Sequence, residues 1–205
     1  MKPLPTRYGG CWFRSRIEAR WAVFFTRLGL EWEYEQQGFK LDRSRYLPDF
    51  LLPELGLYVE IKPLNAFLID PDGVQRWEQF AREIADTGRH DRSLPNLHPG
   101  VRAEVAMICG PIPNPDTVDQ FGPPRGAMPY ERGINVLGDW NWAWCACPSG
   151  EHFDIQFQAL GNRIACRCKR PSGDHRTPSG DHPRIVNAYA AARSARFDDP
   201  GQVAA

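Results

Sequence analysis

The sequence contains no run of the 18 or so apolar residues that a membrane-crossing helix requires, so no such helix is expected. Residues 1–10 also lack the apolar stretch of a secretory signal, which leads us to expect a cytoplasmic protein. Net charge is missing as well. The 25 Lys and Arg side chains balance 25 Asp and Glu, and no global field announces a polyanionic partner. Acid is scarce in one place, however. Between positions 2 and 27 the bases Lys2, Arg7, Arg14, Arg16, Arg20 and Arg27 face Glu18 alone, and residues 163–184 are again mainly basic. Such patches suit phosphate contacts, while a solvated surface is the plainer reading of any one of them. What is present is globular: 42% hydrophobic and 24% charged residues over 205 positions can bury a core and form one ordinary domain plus a small appendage. Six cysteines in a cytoplasmic chain point to thiols or metal ligands more than to disulfides.

The chemistry concentrates in residues 45–63. Two short apolar segments, 46–52 and 57–62, flank the turn signal Pro53-Glu54-Leu55-Gly56 and predict a hairpin. Alternation in the second segment puts Tyr58, Glu60 and Lys62 on one face and Leu57, Val59 and Ile61 on the other. Pairing the segments brings Asp49 beside Glu60. Two nearby carboxylates repel, and oxygen-only ligands favour a hard cation such as magnesium or manganese. The plain alternative is a Glu60–Lys62 pair on a solvated strand face with Asp49 in a turn.

Pro48-Asp49, ten residues, then Glu60-Ile61-Lys62 resembles the PD-(D/E)XK nuclease superfamily, whose signature is Pro-Asp followed by Glu-x-Lys across a hairpin. The order of predicted elements agrees with that resemblance. Residues 13–29 read as a helix with Ser15 as N-cap, Glu18 as its capping-box partner, an Ile17, Trp21, Phe24, Phe25, Leu28 stripe and Gly29 as the stop. Residues 30–36 alternate as a first strand, and the hairpin follows. Residues 72–86 predict a helix that buries Val74, Trp77, Phe80, Ala81 and Ile84, and residues 101–109 a further strand. Helix, three strands, helix, strand is the core order of restriction-endonuclease-like folds. Phe13-Arg-Ser-Arg-Ile-Glu-Ala-Arg-Trp-Ala, Trp32-Glu-Tyr-Glu, Tyr46-Leu-Pro-Asp-Phe and Val59-Glu-Ile-Lys as a set are similar to a group of nucleases inferred in phage and bacterial genomes. The group's usual Tyr-Glu-Pro-Glu is here Tyr34-Glu35-Gln36-Gln37, so no catalytic role is carried onto that strand. The resemblance implies a metal-dependent DNA nuclease, an endonuclease of phage or bacterial DNA processing. Asp49 and Glu60 would bind magnesium or manganese, Lys62 would serve catalysis, and Glu18 would act as a further acid as well as a cap.

The expected organisation is a nuclease core over 1–110, a Pro/Gly-rich linker over 111–138, a small Cys-rich β module over 139–170, and a low-complexity loop, short helix and disordered tail over 171–205. Cys145, Cys147, Cys166 and Cys168, as two Cys-x-Cys pairs, could hold one structural zinc in a zinc-ribbon-like module, with His152, His175 or His182 able to replace a thiol. Trp140, Trp142 and Trp144 share one strand face and are read as that module's core, with a base-stacking platform as the alternative. Expected partners are DNA and no membrane, with a dimer one option for cutting both strands. The competing function is a non-catalytic, zinc-containing nucleic-acid-binding protein on a nuclease-like core, and a phage assembly factor is a third.

Overall fold

The structure is a computed structural model that describes residues 4–42, 44–87, 104–119, 130–132, 142–147, 150–157 and 180–197. A short hairpin of β1 (Thr6–Tyr8) and β2 (Cys11–Phe13) leads straight into α1 (Arg16–Leu28). Both ends of α1 follow the local chemistry. Ser15 is extended, and its hydroxyl accepts the Glu18 N–H at 3.4 Å. Gly29 takes a φ of 80°, a left-handed turn that a β-carbon would disfavour, and its N–H returns to the carbonyls of Phe25 and Thr26. Trp21, Phe24, Phe25 and Leu28 are buried as the stripe predicts.

The first strand is shorter than expected. β3 covers only Glu33–Tyr34, because Glu35 adopts a φ of 47° and turns the chain away. β4 (Phe39–Lys40) and β5 (Arg45–Tyr46) then form a small antiparallel pair of their own. β6 (Phe50–Leu52) and β7 (Leu57–Lys62) make the predicted hairpin, with Phe50 opposite Val59 and Leu52 opposite Leu57. The turn is closed by Leu55 N–H to the Leu52 carbonyl and Gly56 N–H to the Pro53 carbonyl, each at 3.1 Å. A short helix that periodicity did not reveal, α2 (Ala66–Ile69), precedes α3 (Pro71–Thr87). Every apolar position predicted to be buried on α3 is buried. β8 (Glu104–Cys109) returns parallel to β7, and the Gly110 N–H bonds the Lys62 carbonyl at 2.9 Å.

Two differences from the expected organisation follow. The 111–138 stretch, read as a linker, buries Ile112 and supplies β9 (Tyr130–Arg132), which pairs antiparallel with β8 and becomes the fifth strand of a mixed sheet ordered β3-β6-β7-β8-β9. Its three residues were too few to show a period among so many prolines. Beyond it, β10 (Trp142–Ala146) pairs with β11 (Phe153–Phe157), and α4 (Pro183–Ser194) ends the described chain's regular structure. Trp144, Phe153, Ile155, Ile185, Ala188, Tyr189 and Ala192 join α1 and the Leu57, Val59, Ile61 face of β7 in one apolar cluster. Trp144 is fully buried, which makes it core and not a stacking surface. Trp140 lies outside the described residues.

The opposite sheet face, with Tyr58, Val105, Met107 and Cys109, packs against α3 in a second cluster. β7 is therefore covered on both sides, as strands with a parallel neighbour commonly are. This overturns the alternative of a Glu60–Lys62 pair on a solvated strand face: Glu60 is only 5% exposed and the Lys62 side chain 19%. The architecture is mixed α/β. No helix among the described residues is long and apolar enough to cross a membrane.

One side chain ties the C-terminal part to the first helix. The Arg184 guanidinium donates to the Leu28 carbonyl at 2.6 Å and to the Gly150 carbonyl at 3.4 Å, and lies 4.6 Å over the Phe153 ring. A charged donor on an otherwise unpaired helix-end carbonyl stabilises by about 1.5–3 kcal/mol. Gly150, with a φ of 73°, lets the turn pass beneath His182, whose Nε2 would sit 2.6 Å from any β-carbon there.

Candidate active site

The site lies where the β6–β7 hairpin stops being a ladder. Continuing the Phe50–Val59 register by one residue sets Asp49 opposite Glu60. There the Asp49 side chain takes over from the backbone: Oδ2 accepts the Ile61 N–H at 2.7 Å. Oδ1 accepts from Arg14 Nη2 at 3.0 Å. Glu60 Oε1 is held by the Lys62 ammonium at 2.9 Å, and Lys62 also approaches Asp70 Oδ2 at 3.8 Å. Asp49, Glu60 and Lys62, singled out from the sequence, are thus neighbours.

Glu18 is buried, and both its oxygens are engaged. Oε1 accepts from the Ser15 hydroxyl at 2.5 Å, and Oε2 accepts from the Tyr34 hydroxyl at 2.5 Å and the Arg14 N–H at 3.1 Å. The capping role read from the sequence is therefore present, with the reciprocal bond falling on Arg14 N–H where a capping box would use the N-cap residue's own. Glu18 is also close enough to act on Asp49 through space. Burial first, and then the charges of Glu60 and Glu18, push the Asp49 carboxyl well above its usual range, against the Ile61 N–H and Arg14, which pull it down. Lys62 is raised although burial works against it, because Glu60, Asp49 and Asp70 outweigh that effect.

Four residues at the site carried no signal of this role in the sequence. Arg14 was one base in a basic run, but its guanidinium bridges Asp49 and Glu35. Glu35, set aside as the remnant of an incomplete motif, is aimed at Arg14 by its left-handed backbone, and its N–H bonds the Asp49 carbonyl at 2.9 Å. Tyr34 bridges Arg14 N–H and Glu18. Tyr46, buried beside Glu60, has its phenol raised by burial, then by the Glu60 charge and by a polar approach to the Glu60 side chain that is looser than an ordinary hydrogen bond.

Two observations bear on whether a hard cation fits. Among the described residues, no three His, Cys, Asp or Glu side chains are gathered closely enough to form a ready-made metal cage. Against that, Glu60 Oε2 is buried with no hydrogen-bond partner, a state that costs about 1–3 kcal/mol or more for a charged group. Lys62 holds only the other oxygen of this carboxylate and Arg14 holds Asp49, so Glu60 Oε2 is left open to a further cation. The donor set is oxygen, as magnesium and manganese prefer. The residues fit such an ion.

Of the four expected zinc ligands, Cys145 and Cys147 are buried and in no disulfide, while Cys166, Cys168 and also His175 lie outside the described residues. Cys147 Sγ is 3.8 Å from His152 Nδ1 and accepts the His152 N–H at 3.4 Å. Burial, and then Asp154 and Asp181, push the Cys145 thiol up to about 12. His182 serves as N-cap of α4, its Nδ1 accepting the Arg184 N–H at 3.3 Å.

Comparisons with family models, with curated proteins and with solved structures find no match to this chain.

Proposed function

We propose that the protein is a metal-dependent nuclease hydrolysing phosphodiester bonds in DNA, an endonuclease with a restriction-endonuclease-like core. The observation that carries this reading is the unpartnered Glu60 Oε2, buried beside Asp49 and beside the Glu60–Lys62 ion pair. Asp49 and Glu60 would hold magnesium or manganese, with Glu18 as a third acid acting from the α1 cap. A bound ion supplies Lewis-acid polarisation of the phosphate and lowers the pKa of a bound water. The chain's own residues do the rest. Lys62, fixed by Glu60 at 2.9 Å, sets an ammonium where it can orient the attacking water or offset charge on the pentacovalent phosphorus. Ile61 N–H holds Asp49 Oδ2, so the carboxylate presents its other oxygen outward. Arg16, Arg20 and Arg27 of α1 supply backbone contacts that carry no sequence information.

Incubating supercoiled plasmid with the protein in magnesium, manganese or EDTA tests the reading. Cleavage is expected with either metal, none in EDTA, and none from Glu60→Ala or Lys62→Ala. Equal cleavage by wild type and both variants would sink it. Salt-sensitive DNA binding without cleavage would favour a binding protein instead, and neither property would favour an assembly role.

The reading extends to a structural zinc on Cys145 and Cys147, with Cys166 and Cys168 or with an imidazole replacing one thiol. The 3.8 Å approach of Cys147 to His152 supports the imidazole variant. Elemental analysis of purified protein should give one zinc per chain, lost in Cys147→Ser; a zinc-free, fully folded wild type would rule the site out.

A further inference from the structure

We propose that Arg14 is an exchangeable internal counter-ion of the site, which yields Asp49 to the metal and passes to a phosphate of the nucleic acid. The inference rests on the nuclease reading. Its basis is the division of labour on Asp49. Oδ2 is committed to the Ile61 N–H at 2.7 Å, a bond within the sheet that cannot be given up without loosening the hairpin. The remaining oxygen, Oδ1, is covered by Arg14 Nη2 at 3.0 Å. A cation that ligates Asp49 from outside must therefore compete with this guanidinium.

Arg14 is built to lose that competition without harm to the fold. Its backbone is anchored, the N–H donating to Glu18 Oε2 and to the Tyr34 hydroxyl, each at 3.1 Å. Its side chain is 60% exposed, while that of Asp49 is 4% exposed. The guanidinium thus reaches the buried acid from the solvent side, tied by its ion pairs with Asp49 and Glu35 and by the neighbouring Tyr34 hydroxyl. The exchange leaves no buried charge unpaired, because the incoming cation takes the place of the guanidinium on Asp49 as it departs. A planar guanidinium released at the mouth of a phosphodiesterase site matches phosphate with two parallel hydrogen bonds, which an ammonium does not. The neighbouring groups set the direction. Asp49, Glu35, Glu18 and Glu60 surround the position, and an incoming divalent cation replaces one positive charge with two. Metal and DNA should accordingly help each other bind, since each favours the released arginine.

The test uses the full chain stripped with EDTA, manganese as the metal probe, and a labelled duplex oligonucleotide. Free manganese is followed by electron paramagnetic resonance, and duplex binding by fluorescence anisotropy in calcium at several salt concentrations. Arg14→Gln should bind manganese about three- to tenfold more tightly than wild type in the absence of DNA, with Arg14→Lys between them. The same Arg14→Gln change should weaken duplex binding and reduce its salt slope by about one. Equal or weaker manganese binding in Arg14→Gln, or unchanged duplex affinity, overturns the role of Arg14 and leaves the nuclease reading standing. Manganese binding that is absent from both proteins, or undiminished in Glu60→Gln, overturns the metal site itself and the exchange with it.

Discussion

Asp49→Asn is expected to make the metal-free protein more stable and the proposed nuclease inactive, opposite effects from replacing one oxygen by nitrogen. Asn can keep the Ile61 N–H on its carbonyl, and Arg14 keeps its partner Glu35. What disappears is a buried negative charge beside Glu60 and Glu18. Because the Asp49 carboxyl titrates well above its usual value in the folded chain, its contribution to stability is fully present below the unfolded pKa of about 3.9 and is lost as pH rises through the folded value. The advantage of Asn should therefore be small in acid and grow toward neutral pH. An increment of about 1 kcal/mol corresponds to about 2–4 °C in a chain of this size. Melting curves in EDTA from pH 4 to pH 8 measure it directly. Cleavage with magnesium should fall about a thousandfold, since losing a metal ligand removes several kcal/mol of transition-state stabilisation. A variant that is less stable at every pH would show that Asp49 is held by its bonds more than it is strained by its neighbours.

Phe24→Ala should come close to unfolding the whole protein. The ring is fully buried, stacks on Tyr189 at 4.7 Å, meets Trp21 edge-on at 5.0 Å and lies 5.7 Å from Trp144. Removing such a ring costs about 3–5 kcal/mol, a large share of the 5–15 kcal/mol by which a typical domain is stable. Its neighbours come from α1, β10 and α4, so the loss should be felt across the chain at once. Urea denaturation should remain a single transition with a lower midpoint, and tryptic cleavage at Arg20 and at Arg184 should accelerate together. Faster cleavage at Arg184 alone would mean that the C-terminal segments unfold independently of the first helix.

The parts of the fold legible in the sequence are those written in local chemistry. Ser15, Glu18 and Gly29 mark the ends of α1, the Pro53-to-Gly56 turn sets the hairpin, and that register alone brings Asp49 to Glu60. The rest depends on partners far along the chain. Burial of Tyr58 follows from covering the sheet with α3, which alternation within β7 cannot foretell. Arg14 is aimed by the β2-to-α1 junction and by a left-handed Glu35, and neither leaves a periodic trace. The C-terminal segments looked like an appendage because their composition shifts. Their aromatic and aliphatic side chains nonetheless complete the α1 cluster.

The Arg184-to-Leu28 bond joins residues 156 positions apart. Translated at roughly 5–20 residues per second, α1 is made about 8–30 seconds before the helix that covers its aromatic face exists. During that interval Trp21, Phe24 and Phe25 have no C-terminal partner to cover them, and a nascent chain needs a holding factor or dilute surroundings to avoid sticking to its neighbours. Closure over so long a loop also makes refolding slow, with yield that falls as protein concentration rises.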